Sequence, residues 1–145
     1  FQWKRLTIAD KVDATRTIPL TPYLAKLLAA LARTNAYVFA VGKGRINDPR
    51  SVMTRALKAA GVQHLTLHGL RRSYSLLAEA AGAPAGAIAQ VMGHKPSATA
   101  EGYRPRTTDQ LRPYADQVEQ HITGLAGAQA LYEPDQAGAG LRLVA

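Results

Sequence analysis

The spacing of apolar and polar residues changes along the chain and divides it into a short β region followed by helices. Leu6 and Ile8 alternate with polar neighbours, and Arg16, Ile18 and Leu20 repeat the period of two after a polar break at Asp10-Lys11-Val12-Asp13. Strand side chains point alternately to two faces, so this pattern predicts a β-hairpin over the first twenty residues. Thr21-Pro22 offers an N-cap and a proline at the first helical position, and Leu24, Leu27, Leu28 and Leu31 fall on one stripe, which predicts a helix from Pro22 to about Arg33. Tyr37-Val38-Phe39-Ala40-Val41 is short, apolar and bounded by Gly42 and Gly44, and is expected to add a third strand to the hairpin. Asp48-Pro49 repeats the cap-and-proline start. Val52, Met53, Ala56, Leu57 and Ala60 mark the expected buried face of that helix, and Gly61 its end.

From Leu67 onward only helical spacing is found. Leu70, Tyr74, Leu77 and Ala81 stand at i, i+4, i+7 and i+11 before Gly82. Pro84 opens a short helix whose Ile88, Val91 and Met92 face inward until Gly93, and Ser97 is positioned to cap another turn or two through Tyr103. Pro113 is expected to open a last helix with Tyr114, Val118, Ile122 and Leu125 on one stripe. Residues 126–145 are rich in Ala, Gly and Gln and are expected to form a tail, so the chain divides into a domain at 1–125 and a tail at 126–145. The fold class is mainly α with a small antiparallel β-sheet, α+β.

Charge adds a direction to this picture. Of the 145 residues, 18 are Lys or Arg and 10 are Asp or Glu, a net charge of +8. Residues 1–72 hold 13 basic and 3 acidic side chains, and residues 73–145 hold 5 and 7, so the first half carries the surface for an anionic partner such as nucleic acid. The absence of Cys excludes disulfides, thiolate zinc sites and cysteine nucleophiles. No apolar run approaches the roughly 18 to 20 residues that span a bilayer, and the start at Phe1 lacks the order of a signal peptide, so a soluble cytoplasmic chain is expected.

The residues that carry chemistry cluster in three short stretches. His68 and Arg71 stand three apart at the start of a helix and share a face at the end where the helix dipole is positive, a corner that attracts an anion. Gly93 breaks a helix so that His94 is presented from a turn, and Tyr103 follows nine residues later. A bidentate Arg with His donors can neutralise the pentavalent transition state of a phosphodiester, and Tyr is a competent nucleophile towards phosphorus. A phosphotyrosyl ester keeps the energy of the broken bond, so a DNA hydroxyl can reseal the strand without ATP. Lys11, on the hairpin turn, is the candidate acid for the departing 5′ oxygen. Taken singly, each has a plainer role: a packing tyrosine, a surface arginine, a structural histidine, a solvated turn lysine. His64 and His68 at i, i+4 could suggest a metal, but no third ligand falls at a useful spacing. Tyr23, Tyr74 and Tyr114 lie on apolar stripes and belong to the core.

In combination these residues resemble the catalytic domain of the tyrosine recombinases, in particular the phage integrase branch. The family pattern of His-x-x-Arg, an apolar residue before Gly-His, and a nucleophilic Tyr is found as His68-Gly69-Leu70-Arg71, Met92-Gly93-His94 and Tyr103, with gaps of 23 and 9 residues. Lys11 precedes Ile18-Pro19-Leu20 as the family's catalytic Lys precedes its strand end. The resemblance covers about Trp3 to Ile122. It implies a site-specific recombinase that cleaves and rejoins double-stranded DNA through a 3′-phosphotyrosyl intermediate on Tyr103, without a metal or other cofactor. Arg45, Arg72 and Lys95 are further candidates for DNA contact.

The family's other catalytic Arg lies upstream of the hairpin, and no counterpart stands in this chain. The resemblance therefore implies a catalytic domain truncated at its N-terminus. Such a fragment is expected to be monomeric and to bind DNA without cleaving it at a useful rate, whereas the full-length protein would act as a tetramer around two duplexes. The competing expectation is a non-catalytic DNA-binding module.

Overall fold

A computed structural model describes residues 4–9, 15–63, 65–94 and 105–128. The Lys11 turn, His64, the segment with Lys95 and Tyr103, and the tail from residue 129 lie outside the described residues. The period-two region folds as expected. Strands β1 (Arg5–Ala9) and β2 (Thr15–Pro19) pair antiparallel with Leu6 opposite Ile18 and Thr7 opposite Thr17. Leu6, Ile8, Arg16 and Ile18 take the more buried positions, and β2 lies against the last helix. That hairpin is tied down at its edge, where Arg5 forms an ion pair with Asp109 at 2.7 Å and Arg112 donates to the Lys4 carbonyl at 2.8 Å.

Helix α1 (Pro22–Ala29) starts at the expected proline but ends four residues before Arg33. Its last bonds tighten to the i−3 carbonyl, and no described residue covers the exposed Leu31, Ala32 and Arg33, so continuing the helix would bury no apolar surface among the described residues. Asn35 instead turns the chain. Its side-chain oxygen accepts from the Tyr37 amide, and its amide nitrogen donates to the carbonyls of Gly42 and Gly44. The expected third strand is correspondingly reduced to β3 (Ala40–Val41). It pairs only with β4 (Gly44–Arg45) in a separate two-stranded sheet. Gly42 supplies the positive φ, 57°, that a two-residue hairpin turn needs, so β3 folds back on β4 instead of reaching β2, and Phe39 stays 62% exposed.

Helix α2 (Arg50–Ala59) begins where Asp48 accepts the Arg50 amide, but its apolar face is not buried. Met53 and Leu57 are half-buried, whereas Val52 is 41% exposed and Ala56 and Ala60 lie open. Helix α3 (Leu67–Ala80) carries a true N-cap, with the Thr66 hydroxyl accepting from the Gly69 amide at 2.9 Å. Its buried stripe is rotated from the expected one: Ala78 lies at the centre, flanked by Tyr74 and Ala81, while Leu70 is 45% exposed.

Helix α4 (Ala85–Met92) follows Pro84 and buries Ala87, Ile88 and Met92. Helix α5 (Thr108–Leu125) starts five residues before Pro113. A reciprocal cap between Thr107 and Gln110 satisfies its first amides, and Pro113 gives up only the bond to the Asp109 carbonyl. Its inner face is Leu111, Ala115, Val118 and Glu119, with Tyr114 and Ile122 alongside and Leu125 left 68% exposed. The core is thus the meeting of α3, α4 and α5 around Ala78, Ala83, Ile88, Met92 and Val118. Small alanines allow the helices to approach closely there.

Candidate active site

The three-helix core sets the geometry of the motif residues. Thr66 fixes the start of α3, so His68 stands exposed in its first turn and Arg71 follows one turn later on the same face. Gly69 between them has little room to change. An added Cβ would meet the Leu65 side chain at 3.1 Å and the capping Thr66 hydroxyl at 3.3 Å.

Arg71 is half-buried and its Nη2 donates to the main-chain carbonyl of Met92 on α4. That carbonyl is one of those that a helix end leaves without an intrahelical partner, so Arg71 acts as a side-chain cap on α4. Gly93 adopts the left-handed conformation, φ 69°. It lets the His94 amide return to the Ala89 carbonyl at 2.9 Å and its own amide to Gln90 at 3.1 Å. This closing turn directs the chain outward at His94, which is exposed. Arg71 and His94 are therefore brought to one helix end, with His68 a turn away on α3. Among the described residues, the Met92 carbonyl is the acceptor found for the Arg71 guanidinium.

Gln90, which the sequence pattern did not single out, makes the other polar link at this end. Its Nε2 donates to the Arg106 carbonyl at 2.6 Å and its Oε1 accepts from the Arg106 amide at 2.9 Å. The Arg106 guanidinium stands 5.9 Å from the ring centre of Tyr114. Tyr74 lies one turn beyond Arg71 but packs against the core, and burial pushes its phenol above the usual range. Among the described residues no three His, Asp or Glu side chains gather as a metal would need. Arg72 is exposed beside Arg71, and Arg45 is exposed on β4, where its Nε donates to Asn47 at 3.0 Å. Lys11, Lys95 and Tyr103 belong to the undescribed segments.

The sequence matches the Phage integrase family over residues 1–109. The chain belongs to that family. It is also similar to the prophage integrase IntF of Escherichia coli (strain K12), with 44% identity over 137 residues that cover 88% of this chain and 29% of that protein. The chain thus spans under a third of the curated relative it matches. No solved structure matches it. No helix among the described residues is long and apolar enough to cross a membrane.

Proposed function

We propose that this phage integrase family chain provides the catalytic domain of a site-specific DNA recombinase, with Tyr103 as nucleophile. The observation that carries the proposal is the bond from Arg71 to the Met92 carbonyl, which joins the helix of the His-x-x-Arg motif to the turn of the Gly-His motif. A planar guanidinium held in that way presents its remaining donors to two non-bridging phosphate oxygens, and His68 and His94 flank it as further donors.

In the step proposed, the Tyr103 oxygen bonds to the scissile phosphorus as its phenolic proton passes to an imidazole of the site. The bond from phosphorus to the 5′ oxygen breaks, and Lys11 protonates the leaving oxygen. The product is a 3′-phosphotyrosyl ester and a free 5′ hydroxyl, and attack by a 5′ hydroxyl reverses the step and reseals a strand. Positive charge aimed at the phosphate acts where negative charge develops, which is why Arg and His suffice without a metal.

The experiment is incubation of the native protein carrying this chain with a nicked suicide substrate, followed by a denaturing gel. Wild type should yield a covalent protein–DNA adduct, and Tyr103→Phe should bind the DNA with the same affinity and yield none. An adduct from Tyr103→Phe would remove Tyr103 from the mechanism. Salt-sensitive binding without any adduct from wild type would make the chain a DNA-binding module instead.

A further inference from the structure

The Gln90 clasp is not explained by packing. Gln90 is half-buried, and its amide bonds both backbone polar groups of a single residue, as a neighbouring β-strand would. Two antiparallel bonds to one residue fix its orientation as well as its position. From Arg106 the chain passes directly into α5, where Thr107 is the N-cap and its side chain is committed to the capping box. Upstream, only Arg104 and Pro105 separate Arg106 from Tyr103. Covalent geometry alone keeps the Tyr103 Cα within about 11 Å of the Arg106 Cα. The other end of the same segment leaves α4 at His94, whose amide is bonded back to Ala89.

We propose that Gln90 is a positioning residue for strand cleavage. Its side-chain amide ties the end of the Tyr103 segment to the same helical turn whose Met92 carbonyl holds Arg71. One turn of α4 then sets the register between the nucleophile and the phosphate clamp. The proposal rests on the assignment of Tyr103 as nucleophile and Arg71 as phosphate ligand. Gln90 touches neither the DNA nor the reacting atoms in this scheme; it acts through the backbone of Arg106.

A misplacement of about 1 Å in a reacting group can cost on the order of a hundredfold in rate, so loss of the clasp should lower cleavage by about ten- to a hundredfold. The test uses the native protein with Gln90→Leu and Gln90→Glu and measures three quantities on a suicide substrate. These are the adduct-forming rate at saturating DNA, the DNA concentration for half-saturation, and the melting temperature. Gln90→Leu should lower the rate per bound complex and leave half-saturation within about twofold of wild type.

Gln90→Glu supplies the readout that a purely structural residue would not give. Its protonated carboxyl has one donor and one acceptor and can restore both bonds to Arg106, whereas the carboxylate sets an oxygen against the Arg106 carbonyl. The ratio of variant to wild-type rate should therefore rise about three- to twentyfold between about pH 8 and about pH 5, where roughly a sixth of an ordinary Glu carboxyl carries its proton. A Gln90→Leu rate per bound complex equal to wild type would overturn the proposal. So would a folded, DNA-bound Gln90→Glu protein whose rate ratio is flat across that range. An adduct surviving in Tyr103→Phe is a separate outcome that overturns the nucleophile assignment beneath it.

Discussion

Glu119 should prove to be the residue that anchors α1, and its removal should cost more than a surface carboxylate's would. It sits on α5, almost fully buried, and its carboxylate accepts from the Thr21 hydroxyl, from the Tyr23 amide at 2.9 Å and from the Leu24 amide at 3.0 Å. Thr21 occupies the N-cap position of α1 but makes no cap with its own side chain, so a carboxylate from another helix supplies the cap. Hydrogen bonds to a charged group contribute about 1.5–3 kcal/mol each, partly offset by the cost of burying the carboxylate. In Glu119→Ala the Thr21 hydroxyl can rotate to accept a first-turn amide, which returns about 1 kcal/mol. The net loss should be about 2–3 kcal/mol, or roughly 10 °C in Tm for a domain of this size. Glu119→Gln should lose nearly as much, because its NH2 group would face backbone donors. In the Glu119→Ala background, Thr21→Ala should remove the fallback cap and cost about 1 kcal/mol more. Urea denaturation followed by circular dichroism measures all four proteins. A Glu119→Ala protein within about 0.5 kcal/mol of wild type would refute the interhelical cap.

Arg71→Lys should lower adduct formation by about a hundred- to a thousandfold with DNA binding kept, because an ammonium cannot hold the Met92 carbonyl and two phosphate oxygens in one plane; single-turnover cleavage checks it. Gly93→Ala places a Cβ at φ 69° and should destabilise by about 1 kcal/mol while moving His94, read as a paired loss of Tm and cleavage rate. Burial raises the Asp116 carboxyl pKa, with Glu119 adding to the shift and Arg112 and Lys4 opposing it. A raised folded-state pKa means the neutral form is favoured on folding, so stability is lost as pH rises through the carboxylate range. Asp116→Asn should therefore stabilise at pH 7 by less than about 1 kcal/mol and have no effect under strongly acidic conditions, as urea midpoints at the two pH values would show. If Arg45 contacts a phosphate, Arg45→Ala should flatten the slope of log K against log salt by about 0.9, measured by fluorescence titration of a DNA duplex.

What the sequence made legible follows the range of the interactions involved. The hairpin, the Pro22 and Leu67 starts and the Gly82 and Gly93 stops are local signals, because a cap or a left-handed residue needs only its own few neighbours. Spacing alone singled out the motif residues, and of these Arg71 is brought to the turn that bears His94. At α5 two local rules competed. Pro113 is a good first helical residue, but the Thr107–Gln110 box satisfies two donors five residues earlier and costs one bond at the proline. The apolar face of α2 misled for another reason: amphipathic spacing states which face seeks cover and not whether a partner is present. The rotation of the α3 stripe, which buries Ala78 and leaves Leu70 exposed, has the same origin. Gln90 and Glu119 were invisible because each bonds a backbone group far along the chain, and such bonds leave no periodic trace.

Those two invisible residues indicate how so modest a core can hold a site. The described core where α3, α4 and α5 meet sets small alanines at Ala78 and Ala83 against Ile88, Met92 and Val118, so few large side chains interlock to set the register of the helices. Direction comes from the helix ends. The closing turn at Gly93 consumes the Ala89 and Gln90 carbonyls, and Arg71 takes the Met92 carbonyl. The Gln90 side chain is left to hold Arg106, and Glu119 closes the amide end of α1. Hydrophobic contact tolerates sliding, but a hydrogen bond to a helix end weakens steeply with angle and distance. The orphan groups that every helix must satisfy therefore serve as fixed points, and the side chains that satisfy them here include Arg71, a residue proposed to act on the phosphate.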